Sequence, residues 1–481
     1  MSLSSALSSA LSGLAASTRT VDVVSGNLAN ALTEGFAPRE ISLSSVRDGR
    51  GVRVDGILRQ IDTGLLSDRR IADSARAASE IGAEVAQALE RAIGTPESPQ
   101  SLSGRVAALE ATLVTASTRP EDPNRLQAVL RDAQALAAQF NESAARIADS
   151  RSAADRDIGA AVEALNSGLQ QVVTLNVQIT TSLSQGNDTA TLEDQRQRVI
   201  DSLAEIVPLR EVPRENGAVA LVTTSGGLLL DGRAVTLSFD RAPGVEPQMT
   251  LENGLLSGIS IDGVDVPVGA ERGPLQGGRL GALFAIRDRV TVDANAQIDA
   301  VARDLVERFQ QSGLDVTRAP GDPGLFTDAG TRFDPSNELG IAARLMVTPA
   351  VDPAQGGELF RIRDGLGAAS AGPPGAGTLI AALSRALSDT SALPSGTDGS
   401  ARSVAGHVAT LISGLAQERV TAEQVQSFAT GQANEFRALE LANGVDSDAE
   451  LQRLLLVEQA FGANARMIQT IDDMLDTLLR I

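Results

Sequence analysis

The residue types available for chemistry in this 481-residue chain exclude most catalytic and metal-binding classes. The sequence contains no cysteine and a single histidine, His407, and all 41 of its basic residues are arginine. Thiolate nucleophiles, disulfides and structural zinc sites therefore lack their ligands, and the lysine of a P-loop or of a Schiff base is missing. His407 lies in an Ala/Val-rich helical stretch, and no G-x-S-x-G elbow occurs, so we interpret this histidine as structural. We expect no enzymatic activity, no cofactor and no catalytic or metal-binding residue.

The charge and the aromatic content limit the partners. The formal net charge is -20, which opposes nucleic-acid phosphate. Aromatic residues make up 2% of the chain and are all phenylalanine, so platforms for stacking bases are scarce. No apolar run approaches the roughly 20 residues that cross a bilayer, and the first residues lack the pattern of a secretory signal peptide. We therefore expect neither nucleic acid nor a membrane as a partner.

Patterning along the chain predicts a fold that is mainly α with an inserted β module. Long Ala/Leu/Arg/Glu-rich segments have helical periodicity. Between residues 207 and 275, short Val/Leu/Thr runs alternate with Asn-Gly, Gly-Gly and Asp-Gly dipeptides, which is typical of β-hairpins. The predicted domains are an axial terminal coiled-coil domain (1–60 and 441–481), a helical-bundle body (61–206 and 280–440, with an irregular β patch at 313–375) and a small β-rich outer domain (207–279).

Both chain ends carry an apolar residue every three or four positions, the spacing of a coiled-coil seam. A capping-box pattern, Ser447 followed by Glu450, predicts the start of the C-terminal helix. Two ordinary core-facing helices would show similar rows, but matched rows at opposite ends favour helices that pair with each other or with neighbouring molecules. The predicted assembly seam comprises Leu7, Leu11, Leu14, Val21, Leu28, Leu454, Val457, Phe461, Ile468, Ile471, Leu475 and Leu478.

Two terminal motifs resemble the axial proteins of the bacterial flagellum, most closely the family of hook-associated protein 1, the first hook–filament junction protein (the FlgK family). Residues 24–36, Val-Ser-Gly-Asn-Leu-Ala-Asn-Ala-Leu-Thr-Glu-Gly-Phe, look like the N-terminal axial signature. Residues 461–478 resemble the C-terminal signature. The resemblance assigns the signature turn to Asn30, Thr33, Gly35 and Phe36.

Internal stretches are similar to the junction family rather than to its relatives. Residues 125–141 look like its body helix, 192–196 and 203–207 like the helix that leads into its β insert, 277–283 like the return from that insert, and 443–450 like the segment before its last helix. The resemblance therefore covers nearly the whole chain.

The resemblance implies a structural component that joins hook to filament and permits filament assembly. It implies as partners other copies of the same chain in a ring or helix, hook protein, the second junction protein, and an export chaperone on the C-terminal helix. It also implies export through the flagellar type III apparatus without a cleaved signal peptide, and a place at the hook–filament junction. Another axial protein, hook or distal rod, is the alternative; a secreted coiled-coil effector or adhesin is a more distant one.

Overall fold

The computed structural model describes residues 3–33, 35–46, 51–96, 98–268, 273–393, 395 and 399–479. Within these ranges the chain is mainly α-helical, with small antiparallel sheets, which confirms the predicted fold class. No helix in the described ranges combines the length and the apolarity that crossing a membrane requires.

Four of the longer helices begin at side-chain caps, and the helices follow the predicted helical segments. Asp62, Ser101, Asp122 and Ser403 each accept a hydrogen bond from a backbone N–H of the first helical turn that follows. A π-helical turn over Ile286–Val290 joins the sixth helix to the seventh. In chain order the α-helices are α1 (Leu3–Asn30), α2 (Thr63–Ile93), α3 (Leu102–Thr118), α4 (Pro123–Ser184), α5 (Ala190–Ile206), α6 (Gly278–Ala285), α7 (Thr291–Gln310), α8 (Ile341–Arg344), α9 (Arg361–Asp364), α10 (Thr378–Ser388), α11 (Val404–Ala442) and α12 (Ser447–Leu479).

The described strands form four antiparallel sheets, in the orders β1-β2, β3-β4-β5-β6, β7-β8-β9 and β10-β11. The second and third sheets fall within the segment where the dipeptide pattern predicts hairpins. The strands are β1 (Arg39–Ser45), β2 (Val52–Arg59), β3 (Leu209–Pro213), β4 (Val219–Thr223), β5 (Leu228–Asp231), β6 (Arg233–Ala234), β7 (Leu237–Ser238), β8 (Ile259–Ile261), β9 (Val264–Val266), β10 (Phe326–Asp328) and β11 (Leu345–Val347).

The turn between β8 and β9 shows why an Asp-Gly dipeptide separates two strands in this region. Asp262 and Gly263 both have positive φ, 50° and 81°. Two consecutive residues with positive φ form a type I′ turn, whose twist matches that of the flanking strands. The Asp-Gly pair therefore fixes a two-residue hairpin connection at this point.

Two apolar cores hold together what we call the body, α2–α11 with β3–β11. The first core lies among α2, α3, α7, α10, α11 and the β10-β11 sheet, and the second lies among α5, α6 and strands β3–β8. The helix α4 belongs to both: residues 126–147 contribute to the first core and residues 154–172 to the second. One continuous helix therefore connects the two cores.

A buried arginine lies where α4 passes from one core to the other. The Arg287 side chain is fully buried and donates from Nη1 to Asp155 Oδ1 over 2.9 Å. Its guanidinium carbon lies 4.9 Å from the ring centroid of Phe284 and 5.7 Å from that of Phe239. Arg151 donates from Nε to the backbone carbonyl of Arg287 over 2.8 Å. The buried charges at this point are thus paired and hydrogen-bonded, as burial requires.

The β1–β2 hairpin is an element that the sequence analysis does not predict. It follows α1 and packs against that helix, where the Ser12 hydroxyl accepts a hydrogen bond from the Val52 N–H over 3.1 Å. The residues between its strands, 47–50, lie outside the described residues. Its alternating pattern, such as Val52-Arg53-Val54-Asp55, is the signal that could have identified it.

Candidate assembly interface

The turn after α1 docks the end of that helix against α5. The Asn30 side chain donates to the Gly26 carbonyl over 2.9 Å, and the Phe36 N–H donates to the Thr33 carbonyl over 3.1 Å. Gly35 has a φ of 74°, and a Cβ at this position would lie 3.0 Å from Arg198 Cγ of α5. Glycine is therefore required here both for its backbone conformation and for the close approach of α5.

The helices α1 and α12, which we call the terminal pair, pack against each other in antiparallel orientation. Near one end Leu3 lies beside Met474, and near the other Asn27 contacts Glu450. The row of α1 that faces α12 consists largely of small residues: Ala10, Gly13, Ser17, Thr20, Val24 and Asn27. Small side chains allow two helix backbones to approach closely, because little volume separates them.

The predicted leucine row of α1 lies beside this contact row. Leu7, Leu14, Val21 and Leu28 are half-buried, and Leu11 is half-exposed at 50%. Within one chain, then, the row of α1 that contacts α12 lies next to the predicted row, with members one position before Leu11, Leu14, Val21 and Leu28. The contact of the leucine row with neighbouring molecules stays a prediction.

On α12 the predicted row faces α1. Ile471 is buried, and Leu454, Val457 and Ile468 are half-buried. The side chains of Phe461, Leu475 and Leu478 are between 38% and 58% exposed. Asn464, the polar member of this row, lies against Gly13 of α1. The pairing therefore covers this row of α12 only in part.

A buried polar cluster joins the terminal pair to the hairpin. The Asn27 side chain has no exposed surface. Its Nδ2 donates to the Arg39 carbonyl over 2.8 Å and to Glu450 Oε1 over 3.0 Å, and its Oδ1 accepts from the Arg39 N–H over 3.0 Å. One amide thus ties α1 to both β1 and α12.

The start of α12 differs from the predicted capping box. The capping side chain is Asp446, one residue earlier, which accepts from the N–H groups of Asp448 and Ala449. Glu450 is turned towards Asn27 and does not close the box with Ser447. The predicted position of the helix start is confirmed, because α12 begins at Ser447. The predicted capping contact was wrong, because Glu450 has a partner on α1 that the local pattern does not contain.

From the hairpin the contacts continue into the body through arginine. Arg39 donates to Asp194 of α5 over 2.6 Å, and Arg59 pairs with the same carboxylate over 2.7 Å. The Phe36 ring lies under the Arg39 guanidinium, 5.1 Å from ring centroid to guanidinium carbon. These pairs connect the signature turn and both hairpin strands to α5.

A larger ion-pair network lies beyond, where α2 meets α5 and the end of α11. Arg69 contacts Asp73, Asp201 and Glu440 at distances of 2.6 to 2.9 Å. Arg437 of α11 pairs with Asp73 over 2.9 Å. Because α12 follows α11 after a short turn, this network anchors the helix that leads into the terminal pair.

The terminal pair leaves most of a second apolar row of α12 uncovered, which we call the outer row; its end at Thr470 and Met474 borders Leu3 of α1. Its members recur every three or four residues, as do those of the predicted row that faces α1, which we call the inner row (Leu454, Val457, Phe461, Ile468, Ile471, Leu475 and Leu478), but they lie on another face of the helix. Met467 and Met474 are each 49% exposed, and Leu456 is 66% exposed. The outer row comprises Leu456, Ala460, Ala463, Met467, Thr470 and Met474. Exposed apolar surface of this length indicates a contact with another protein.

The chemistry-bearing groups of the body have structural partners. His407 is buried, and its Nε2 lies 2.8 Å from the Ser391 carbonyl. It lines a groove of 780 Å³ between α7 and α11, together with Asp299. Asp299 accepts from the N–H groups of Gly340 and Ala342; burial raises the pKa of Asp299 to about 6, although these hydrogen bonds oppose the shift. Nowhere in the described ranges do three His, Asp or Glu side chains converge as metal ligands do.

Comparison with known proteins agrees with the helical body and with the C-terminal motif. Residues 86–326 match the family described as the flagellar hook-associated protein FlgK helical domain, and residues 439–481 match the flagellar basal body rod FlgEFG protein C-terminal family. The first match covers half of the chain. The second covers α12 and the end of α11.

Flagellar hook-associated protein 1 of several bacteria is similar to this chain. The Bacillus subtilis protein is 23% identical, with 98% of this chain and 97% of that protein covered. The Escherichia coli protein is 23% identical, with 67% and 59% covered. The Salmonella typhimurium protein is 26% identical, with 48% and 43% covered, so the matched part of this chain spans less than half the length of that relative.

Among solved structures, the flagellar hook junction protein FlgK from Burkholderia pseudomallei is similar, with 22% identity, 55% of this chain and 47% of that chain covered, and a TM-score of 0.44. The match of the FlgK helical domain over half of the chain decides the family. The chain belongs to the FlgK family of flagellar hook-associated proteins.

Proposed function

We propose that this chain is a structural subunit of the bacterial flagellum that joins hook to filament. The proposal is supported by the terminal pair, which leaves apolar rows of both helices partly exposed, whereas the apolar cores of the body are buried. The relatives named as flagellar hook-associated protein 1 support the same place along the axis.

The outer row of α12 and the leucine row of α1 would account for assembly if they form the contact that repeats from one subunit to the next. The outer row of α12 is about 27 Å long and the leucine row of α1 about 32 Å, and the two overlap along part of the terminal pair. We propose that the outer row of one subunit packs on the leucine row of the next. A head-to-tail contact between two different surfaces builds a ring if the rotation closes and a helix if it does not.

The other partners and the route follow from the family. We propose that hook protein lies below the subunit, the second junction protein above it, and an export chaperone on α12 before secretion. We propose that the chain leaves the cell through the flagellar type III apparatus without a cleaved signal peptide. The uncovered outer row supports a chaperone on α12, because an exposed apolar row needs cover until assembly.

We propose that the chain acts without catalysis. The family is structural, and two titratable groups of the groove between α7 and α11, Asp299 and His407, are engaged in holding loops. Asp299 binds two backbone N–H groups, and His407 binds a backbone carbonyl. These contacts support a structural role for both residues.

Electron microscopy of a deletion strain, combined with an assay for flagellin in the medium, tests the proposal. We expect hooks without filaments and unpolymerised flagellin outside the cells, both reversed by the wild-type gene. Missing hooks would instead favour a rod or hook subunit. Normal filaments would contradict a flagellar junction role.

A further inference from the structure

We infer that two contacts, Gly13 with Asn464 and Asn27 with Glu450, specify the register in which α1 pairs with α12. Fourteen positions separate Gly13 from Asn27, and fourteen separate Glu450 from Asn464. In an antiparallel pair this equal spacing, two heptads, allows both contacts to form together in one register. The inference concerns a single chain and does not rest on the proposed function.

The apolar pattern alone does not define this register. Rows that repeat every seven residues still face each other after a slip of one heptad, because apolar residues replace apolar residues. The small residues of α1 discriminate even less between registers, since their side chains differ little in size and shape. Register therefore depends on the positions that break the repeat.

Gly13 breaks the repeat by shape. A Cβ at this position would lie 2.7 Å from Asn464 Nδ2 and 3.1 Å from its Cγ, so the glycine forms the hole that receives the asparagine. A slip of one heptad would bring Asn464 opposite Ala6 or Thr20, each of which carries a Cβ. Real Cβ atoms do not approach so closely, so either Asn464 would have to leave its observed rotamer or the helices would have to separate.

Asn27 breaks the repeat by hydrogen bonding. Its buried amide uses both atoms, on the Arg39 backbone and on Glu450. A slip that brings Val457 opposite Asn27 would remove the carboxylate acceptor and leave Glu450 without this amide. A buried polar group that loses its partner disfavours the state in which this happens. The polar contact thus selects one register in the way that a buried asparagine does in coiled coils.

The absence of native cysteine makes the register directly measurable. The two contacts place Ser17 opposite Phe461, so the Ser17→Cys/Phe461→Cys variant reports the native register. Ser17→Cys combined with Leu454→Cys or with Ile468→Cys reports a slip of one heptad in either direction. Disulfide formation in the full chain is followed by non-reducing gel, with the intramolecular product read from the monomer band. Ammonium sulfate in the buffer strengthens apolar burial and favours pairing.

In the otherwise unchanged chain we expect the native reporter to cross-link about ten-fold faster than either slipped reporter. Gly13→Ala or Asn27→Leu should reduce this ratio towards one and raise the slipped product. Gly26→Ala is the matched control, because a Cβ at Gly26 meets nothing within 4 Å. Glu450→Gln keeps an oxygen acceptor for Asn27 and should keep the native ratio.

Three results would overturn the inference. Equal rates for all reporters in the unchanged chain would show that register is not specified. An unchanged ratio in both the Gly13→Ala and Asn27→Leu backgrounds would show that other contacts specify it. Loss of the native product without a rise of the slipped products would show that the two contacts stabilise the pair without choosing its register.

Discussion

The body and the terminal pair use apolar residues in opposite ways. In the body, large side chains such as Phe140 and Phe284 have essentially no exposed surface. In the terminal pair the most buried row of α1 is made of small residues, while the methionines and leucines of α12 remain half-exposed. Each such leucine contributes roughly 1.5–3 kcal/mol only once it is fully buried. The body is therefore complete as a single chain, whereas the terminal pair has apolar surface left for a second layer.

The comparison predicts that substitutions in the body and substitutions in the outer row have different measurable effects. Substitutions in the body should lower the stability of the isolated chain. Substitutions in the outer row should leave that stability nearly unchanged and act on assembly. The first four predictions below run from the largest expected change in the free energy of unfolding to the smallest, and a last pair of variants tests the same comparison through assembly.

The largest change is expected for Arg287→Ala. Removal of this fully buried guanidinium leaves Asp155 as an unpaired buried carboxylate and should lower the free energy of unfolding by about 4 kcal/mol. Urea unfolding followed by circular dichroism measures the effect. Arg289→Ala, two residues away and exposed, is the control. Equal losses in both variants would mean that the buried pair is not responsible.

The second prediction concerns pH. Because the pKa of Asp299 is raised to about 6 in the folded chain, the folded state binds more protons than the unfolded state between its usual pKa and this value. The free energy of unfolding should therefore fall as pH rises from about 4 to about 6, by about 3 kcal/mol from this group. Urea unfolding across this range should show the fall in the unchanged chain but not in Asp299→Asn.

Asp293→Asn is the control for this pH dependence, because Asp293 lies on the same helix and is exposed. Its curve should fall in parallel with that of the unchanged chain. A curve for Asp299→Asn that also falls in parallel would assign the dependence to other groups.

A smaller change is expected for Arg69→Ala at the end of the body that faces the terminal pair. Its partners Asp201 and Glu440 keep some contact with solvent, so the loss should be about 2 kcal/mol. Hydrogen exchange should rise in α11 near Arg437, because Arg69 joins this part of α11 to α2. Arg91→Ala, near the end of α2, provides the comparison. Unchanged exchange in α11 would contradict an anchoring role for the network.

The smallest change in stability is expected for Met467→Asp. The side chain is half-exposed, so the isolated chain should lose less than about 0.5 kcal/mol. Incorporation into flagella should nevertheless be lost, because the carboxylate would be buried in the next subunit's leucine row. Immunoblots of purified flagella measure incorporation, and Gln469→Asp adds the same charge outside the outer row. Normal incorporation of Met467→Asp would exclude the outer row as a contact.

The inner-row variant Leu475→Asp and the leucine-row variant Leu14→Asp sharpen the same contrast. Each should abolish incorporation while the cores of the body stay folded. Cooperative urea unfolding of the body at an unchanged midpoint would show that the damage is confined to the terminal pair. A shifted midpoint would mean that the two regions are not independent.

The regular parts of this fold could be predicted because they repeat. Helical periodicity marks the long helices, and Asp-Gly at 262–263 marks a hairpin, since both patterns are local. The row of α12 that faces α1 is visible for the same reason. The contact row of α1 could not be predicted from spacing. The leucines of α1 form the more regular pattern, and the small residues beside them matter only where another backbone comes close.

Contacts between distant residues could not be predicted from spacing. Asn27 and Glu450 are 423 positions apart, and neither has a local pattern that requires the other. The capping-box prediction for Glu450 fails for this reason. Similarly, Asp194 and Arg39 are ordinary surface residue types, and only the packing of the hairpin on α5 brings them together.

The length of α4 has a mechanical consequence. Its 62 residues form a rod of about 93 Å that supplies side chains to both cores, with Arg151 and Asp155 fixed between them. Force applied at one end of the body is carried by a continuous hydrogen-bonded backbone and not by a flexible linker. Twisting one core relative to the other would have to bend or wind this rod. We therefore expect the body to resist twisting as one stiff piece, so that in an assembly deformation would occur mainly at the contacts between molecules.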